Sequence, residues 1–238
     1  MKRYKVLIHS EAYKKAHSYL TDLSSHKLAP GFHLQAVVKD KDLAQLSVSE
    51  FIELLVRTKR PQIFAESAVH GNGSDWNQTE LSILGDISIA VPVAVFDNGL
   101  HRRPKVHQTP FGATLLYTPG ALLRNGTGHT PADWGKVTVG DEISYAGYYA
   151  LYERRLLPPL LYANSVANAN QRKAFITVPG LGCGQFAGRF GGKLGSLLRK
   201  VLLELLSSHA ELFRNIAAVY YDPYLECENE RVEIGGLS

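Results

Sequence analysis

Ile176-Thr177-Val178-Pro179-Gly180-Leu181-Gly182-Cys183-Gly184-Gln185-Phe186-Ala187-Gly188-Arg189-Phe190 decides the fold of this chain. A short apolar run over 174–178 stops at Pro-Gly, and a Gly-x-Gly-x-Phe loop follows. Beyond Gly192 the spacing of Leu194, Leu197, Leu198, Val201, Leu202, Leu205 and Leu206 predicts an amphipathic helix. Strand, glycine loop and helix in that order present backbone N–H groups and a helix N-terminus to a phosphate. Glycine suits such a loop because a side chain blocks close approach and because glycine tolerates positive φ. The stretch therefore reads as a seat for a phosphorylated ligand.

Working outward, residues 216–221 form an apolar run that ends in Tyr221-Asp222-Pro223, a closing strand. Upstream, 4–8 reads as a first strand, 11–23 as a helix and 33–38 as a second strand. Ser47-Val48-Ser49-Glu50 matches a capping box ahead of the helical Phe51, Leu54 and Leu55. A strand is expected over 62–69, running into Gly71-Asn72-Gly73. Another is expected over 87–96, stopped by the turn signal Asp97-Asn98-Gly99. Residues 112–117 form a further strand and 124–140 a polar loop. Asp141 and Glu142 are expected to open a helix whose dipole they complement. That helix carries Tyr145, Tyr148, Tyr149 and Tyr152 and is broken at Pro158-Pro159.

At 238 residues, 45% hydrophobic and 20% charged, the chain is long enough to bury a core without disulfides or metal. Its two cysteines, Cys183 and Cys227, have no metal-type spacing, and the nine histidines show no ligand pattern. No metal and no cofactor are expected. The formal charge of +4 helps an anionic ligand approach but does not imply nucleic-acid binding. The N-terminal apolar run breaks too early for a signal peptide, and no run is long enough to span a membrane. A cytoplasmic monomer is expected, without nucleic-acid or membrane partners.

The segment from Val178 to Phe186 resembles the second ligand loop of macrodomains, the ADP-ribose-binding α/β/α modules. Leu115-Leu116-Tyr117-Thr118-Pro119-Gly120 is similar to a strand of the poly(ADP-ribose) glycohydrolase-like branch of that superfamily. The Asn-Ala-Ala-Asn strand end of common macrodomains has no counterpart in the expected place, nor has the glycine triplet followed by Gln-Glu-Glu. Gly71-Asn72-Gly73 is the nearest substitute. The resemblance implies an α/β fold: a three-layer α/β/α arrangement, a mixed sheet with helices on both faces. The core is expected at 61–227, with a strand and helix segment over 1–60 packed on it and a tail at 228–238. It implies that Gly182, Cys183, Gly184, Gln185 and Phe186 wrap the diphosphate and distal ribose. Tyr221 and Asp222, at the carboxyl end of the closing strand, are placed for contact with adenine or ribose.

Cys183 has no histidine near it in sequence, so backbone contact suits it better than nucleophilic attack. Hydrolysis of an ADP-ribosyl bond needs a carboxylate to steer water. Asp133, Asp141 and Glu142 are the candidates, in that order. The structural alternative is that Asp141 and Glu142 only cap a helix and Asp133 only begins a turn. The expected activity is hydrolysis of ADP-ribosyl linkages on modified protein side chains, with ADP-ribose or an ADP-ribosylated protein as the partner. Two alternatives stand beside it: a non-catalytic reader of ADP-ribosylated proteins, and an unrelated nucleotide-binding α/β protein.

Overall fold

The computed structural model describes residues 4–59, 75–100, 103–124 and 130–235. The expected strand over 62–69 and Gly71-Asn72-Gly73 lie outside them. Strand β1 (Lys5–Ile8) leads to helices α1 (Ser10–Ser24), α2 (Phe32–Val38), α3 (Val48–Thr58) and α4 (Gln78–Gly85). Strands β2 (Ile87–Val95) and β3 (Phe111–Tyr117) follow. A small hairpin, β4 (Thr138–Val139) and β5 (Glu142–Ile143), is preceded by the single-turn α5 (Trp134–Val137). The long α6 (Tyr145–Ala169) then leads to β6 (Ala174–Pro179), the glycine loop, α7 (Leu194–Ser208) and β7 (Ile216–Asp222).

Antiparallel pairing in the order β1-β2-β3 sets Ile8 against Ile87 and Ile89 against Tyr117. Strands β6 and β7 pair in parallel, with Val178 opposite Tyr221. Helices and both kinds of pairing make an α/β fold. One core cluster joins α6, α7, β6 and the loop residues Ala121 and Leu123. The other joins α1, α2, α3 and α4 with Trp76 and Ile87. No helix among the described residues is long and apolar enough to cross a membrane.

The predicted helix starts at Ser47 and beyond Gly192 are present, and at Ser47 both halves of the capping box form. Three expectations are corrected. Residues 33–38 belong to helix α2, where Leu34 and Val38 share one buried face at i, i+4; that spacing outweighs the β-branched Val37-Val38 pair. Asp141 and Glu142 do not open a helix. Gly140, at φ +58°, and Asp141 make the two-residue turn between β4 and β5, and Ser144 caps α6 instead. Pro158-Pro159 do not break α6, which runs through both. Proline at 159 removes the N–H that would reach the Arg155 carbonyl, and the Ser88 hydroxyl donates to that carbonyl at 3.3 Å. Contacts tie the described residues after β7 to the rest of the chain. Glu230 pairs with Arg199, and Ile234 packs against the larger core.

Candidate functional site

The glycine loop and the loop that follows β3 meet at a crossing of two glycines. A Cβ on Gly120 would lie 2.3 Å from the Gly182 amide nitrogen. Gly182 itself, at φ +73°, faces the Ala121 backbone with no room for a methyl group. Tyr152, fully buried on α6, ties the two loops together: its hydroxyl accepts from the Ala121 N–H at 3.0 Å and donates to the Leu181 carbonyl. Buried Tyr148 stacks beside it, so the tyrosines at i, i+4 serve packing.

Above this crossing lies a cavity of about 370 Å³ at the carboxyl ends of β3 and β6. Helix α4 contributes Leu81 and Leu84, and Lys59 enters from the end of α3. Tyr117 to Leu122, Asp133, Arg155, Gly180 to Gly182 and Phe186 close the rest. The walls are apolar, with a few polar groups converging from separate elements. The N–H groups of Gly182 and Gly184 make no hydrogen bond among the described residues.

Arg155 is the centre of the polar side, and it is 1% exposed. Its guanidinium donates to Asp86 at 3.1 Å, to both oxygens of Asp133 at 2.8 and 2.9 Å, and to the Gly120 carbonyl at 2.7 Å. Asp133 also accepts from Lys136 and from the Leu122 N–H. Burial alone would raise the Asp133 carboxyl, but Arg155 and Lys136 more than reverse that and hold it below the usual carboxylate range. A carboxylate so saturated is a poor base and a good brace.

The structure brings only part of the expected constellation together. Gly182, Phe186 and Asp133 line the cavity. Cys183 points away from it: its thiol is buried near the Leu181 carbonyl and the Tyr221 hydroxyl, and burial pushes it up to about 11. That environment rules against a thiolate nucleophile. Gly184 and Gln185 lead into a short turn of 3-10 helix rather than into the cavity wall. Tyr221 donates to the Gly195 carbonyl behind the loop, and Asp222 accepts from the Tyr224 N–H, so neither reaches the cavity. Asp141 and Glu142 sit on the hairpin outside the cavity lining. Asp141 is nonetheless joined to the glycine segment, because Arg189 bonds both its carboxylate and its carbonyl while lying over the Trp134 ring.

The helix N-terminus is also corrected as a phosphate seat. The Glu226 carboxylate already accepts from Gly195 N–H at 2.6 Å and Gly192 N–H at 3.3 Å at the start of α7. Asp97-Asn98-Gly99 is part of a longer connection: Asp97 accepts from the N–H groups of Gly99, Val106 and His107. Sequence reasoning missed Arg155 and Lys59, and it named Tyr152 only as one of four helical tyrosines. An arginine beside two helix-interior prolines, far in sequence from both aspartates, carries no local signal of its role. No group of three His, Cys, Asp or Glu side chains among the described residues is arranged to hold a metal ion.

No curated protein sequence matches the chain at a significant level. A family model described as macrodomain effector MavL matches residues 4–238, which takes in both cores and every wall of the cavity. That match removes the reading of an unrelated nucleotide-binding protein. The chain belongs to the MavL family of macrodomains.

Proposed function

We propose that the cavity between the β3 and β6 loops binds ADP-ribose and that the protein hydrolyses ADP-ribosyl linkages on modified protein side chains. The observation that carries the reading is the Gly120–Gly182 crossing beneath a cavity at the carboxyl ends of two strands, in a macrodomain. Backbone N–H groups of the glycine loop receive the diphosphate, and Leu81, Leu84 and Phe186 supply apolar walls. In the hydrolytic step, water attacks the anomeric carbon and the bond to the side chain breaks. A carboxylate takes the water's proton.

Asp141 is the foremost candidate for that carboxylate. It is exposed, and Arg189 links it to the turn after the glycine loop. Glu142 beside it is the second. Asp133 acts by holding Arg155 and the 118–122 loop rather than by proton transfer. One observation favours the reader alternative: Asp133 is the sole carboxylate lining the cavity among the described residues, and its acceptor positions are filled.

A thermal-shift titration with ADP-ribose against ADP, AMP and NAD tests the binding reading. A shift no larger for ADP-ribose than for AMP would sink it. Proteins ADP-ribosylated through Arg, Asp/Glu or Ser then test the chemistry, with released ADP-ribose as the readout. Release that falls at least about tenfold in Asp141→Asn, with ADP-ribose affinity unchanged, supports the hydrolase. Tight binding with no release from any linkage leaves the reader.

A further inference from the structure

Strand β3 is apolar but packs into neither core. From Phe111 to Leu116 it holds no charge and no proline, and none of these residues belongs to either core cluster. Phe111 is 43% exposed and Leu115 54%. Among the described residues β3 pairs only with β2, which puts its far side at the edge of the sheet. In an antiparallel ladder, alternate N–H and C=O groups point to that side. For residues 111–116 no backbone bond reaches any element but β2 among the described residues. Proteins commonly blunt such an edge with lysine, proline or a bulge, because it pairs with a stray strand. Here the register with β2 is unbroken and all three devices are absent from 111–116. The edge also has two distinct ends. Its carboxyl end runs into the cavity wall, which continues from Tyr117 to Leu122. Its amino end follows a cationic connection: between Asp86 and Asp133 the chain has one acid, Asp97, against Arg102, Arg103, Lys105 and Arg124. Asp97 is occupied by the N–H groups of Gly99, Val106 and His107, while Arg103 and Lys105 are exposed just ahead of β3.

Resting on the ADP-ribose reading, we propose that β3 takes an extended, acidic segment of the modified protein as an added antiparallel strand, which delivers the modified side chain to the cavity. Main-chain hydrogen bonds to the edge supply affinity, and they read an extended backbone rather than one sequence. Phe111, Ala113 and Leu115 share one face of β3 and meet alternate side chains of the guest. An antiparallel guest continues the pattern of β1, β2 and β3 and runs from the cavity toward Arg103 and Lys105. Those two cations favour aspartate or glutamate in the guest about six residues after the modified one, since a strand advances about 3.4 Å per residue.

The probe is a synthetic peptide that carries ADP-ribose through a non-hydrolysable linker, followed by valines and threonines and then two glutamates about six residues on. Hydrogen exchange of the full chain, read by mass spectrometry, is expected to slow at least about fivefold within 111–116 when the peptide binds. Free ADP-ribose should leave that segment within about twofold. Methylating one alternate set of the peptide's backbone nitrogens is expected to weaken binding about 10- to 100-fold, and methylating the other set less than about threefold. Charge reversal at Arg103→Glu with Lys105→Glu is expected to weaken the peptide about 3- to 10-fold and to keep free ADP-ribose within about twofold. A peptide that binds no tighter than free ADP-ribose, unchanged exchange in 111–116, or equal losses from the two methylated sets would each overturn the added strand. Indifference to the charge reversal overturns the acidic class of guest. Slowing in 111–116 that rises with protein concentration and needs no ligand assigns the edge to a second copy of this chain instead. Failure of the unaltered chain to bind free ADP-ribose overturns the underlying reading, and the peptide measurements then have no bearing on it.

Discussion

Among the described residues, two glycine-rich places gather backbone N–H groups, and only at one of them does the chain's own acid accept from those groups. At the start of α7 the amides of Gly192 and Gly195 hold the carboxylate of Glu226, whose own carbonyl accepts from the Ser196 hydroxyl. In the glycine loop, Gly182, which lines the cavity, and Gly184, two residues on, keep their N–H groups without an acceptor among the described residues. The same physics operates at both, since unpaired amides attract negative charge. The difference is that the chain satisfies the helix end with its own acid, while no described residue accepts from the Gly182 and Gly184 amides. A strand–loop–helix pattern thus marks where amides gather, while the rest of the chain decides which stay available.

The open seat depends most on Arg155. Its guanidinium, itself buried, fixes the Gly120 carbonyl and neutralises the buried Asp86 and Asp133. Arg155→Met leaves two buried carboxylates with only Arg154 and Lys136 to answer them, and about 3–5 kcal/mol of stability should be lost. Urea unfolding measures this. A loss under about 1 kcal/mol would mean that the cluster is wetter and softer than its burial indicates. The filled seat should be untouched by the change, because Glu226 does not contact Arg155.

Gly182→Ala comes next. The new methyl group would meet the Ala121 backbone at 2.7 Å in a residue already at positive φ, so about 2–3 kcal/mol is expected, or roughly 4–12 °C in melting temperature. ADP-ribose binding should fall with it. Gly191→Ala is the control: φ is −52° and the nearest atom is 3.5 Å away, so its melting temperature should move by less than about 2 °C. Equal effects at both positions would show that the crossing at Gly120 is not a special constraint.

Much of this comparison was legible beforehand, and the missing part has a common cause. The loop from Gly180, the strands on either side of it and the leucine spacing of α7 are local patterns, and all are present. The capping box at Ser47 is local as well. What failed to show were features completed by distant partners. Pro159 is tolerated because Ser88, far away in sequence, serves the orphaned Arg155 carbonyl. Asp133 is a brace because of Arg155 and Lys136, and the N-terminus of α7 is occupied because Glu226 folds back onto it. The hairpin at Gly140-Asp141 is the exception, since Gly-Asp is a recognisable two-residue turn and was outweighed by the two adjacent acids.

Acid should act on the open seat through Asp133. Its carboxyl is held below the usual range in the folded chain, so the folded state binds that proton less readily than the unfolded one. The stability it contributes is complete above the unfolded value of about 3.9 and is lost as pH falls through the lower folded value. Urea midpoints should therefore fall below about pH 4, and Asp133→Asn should flatten that part of the profile. A profile identical in the variant would place the acid sensitivity elsewhere.

The smallest expected effect tests the comparison most directly. Glu226→Ala opens the filled seat by removing the carboxylate from Gly192 and Gly195, at a cost of about 1–2 kcal/mol. The vacated amides then resemble those of the glycine loop, so inorganic phosphate should raise the melting temperature of the variant more than that of the unaltered chain. ADP-ribose affinity should stay within about twofold, because no cavity-lining residue touches Glu226. If phosphate stabilises both proteins equally, Glu226 is holding the strand of chain after β7 in place and not standing in for an anion. If ADP-ribose affinity changes with it, the two seats are one site, and the glycine loop and the start of α7 act together on the diphosphate.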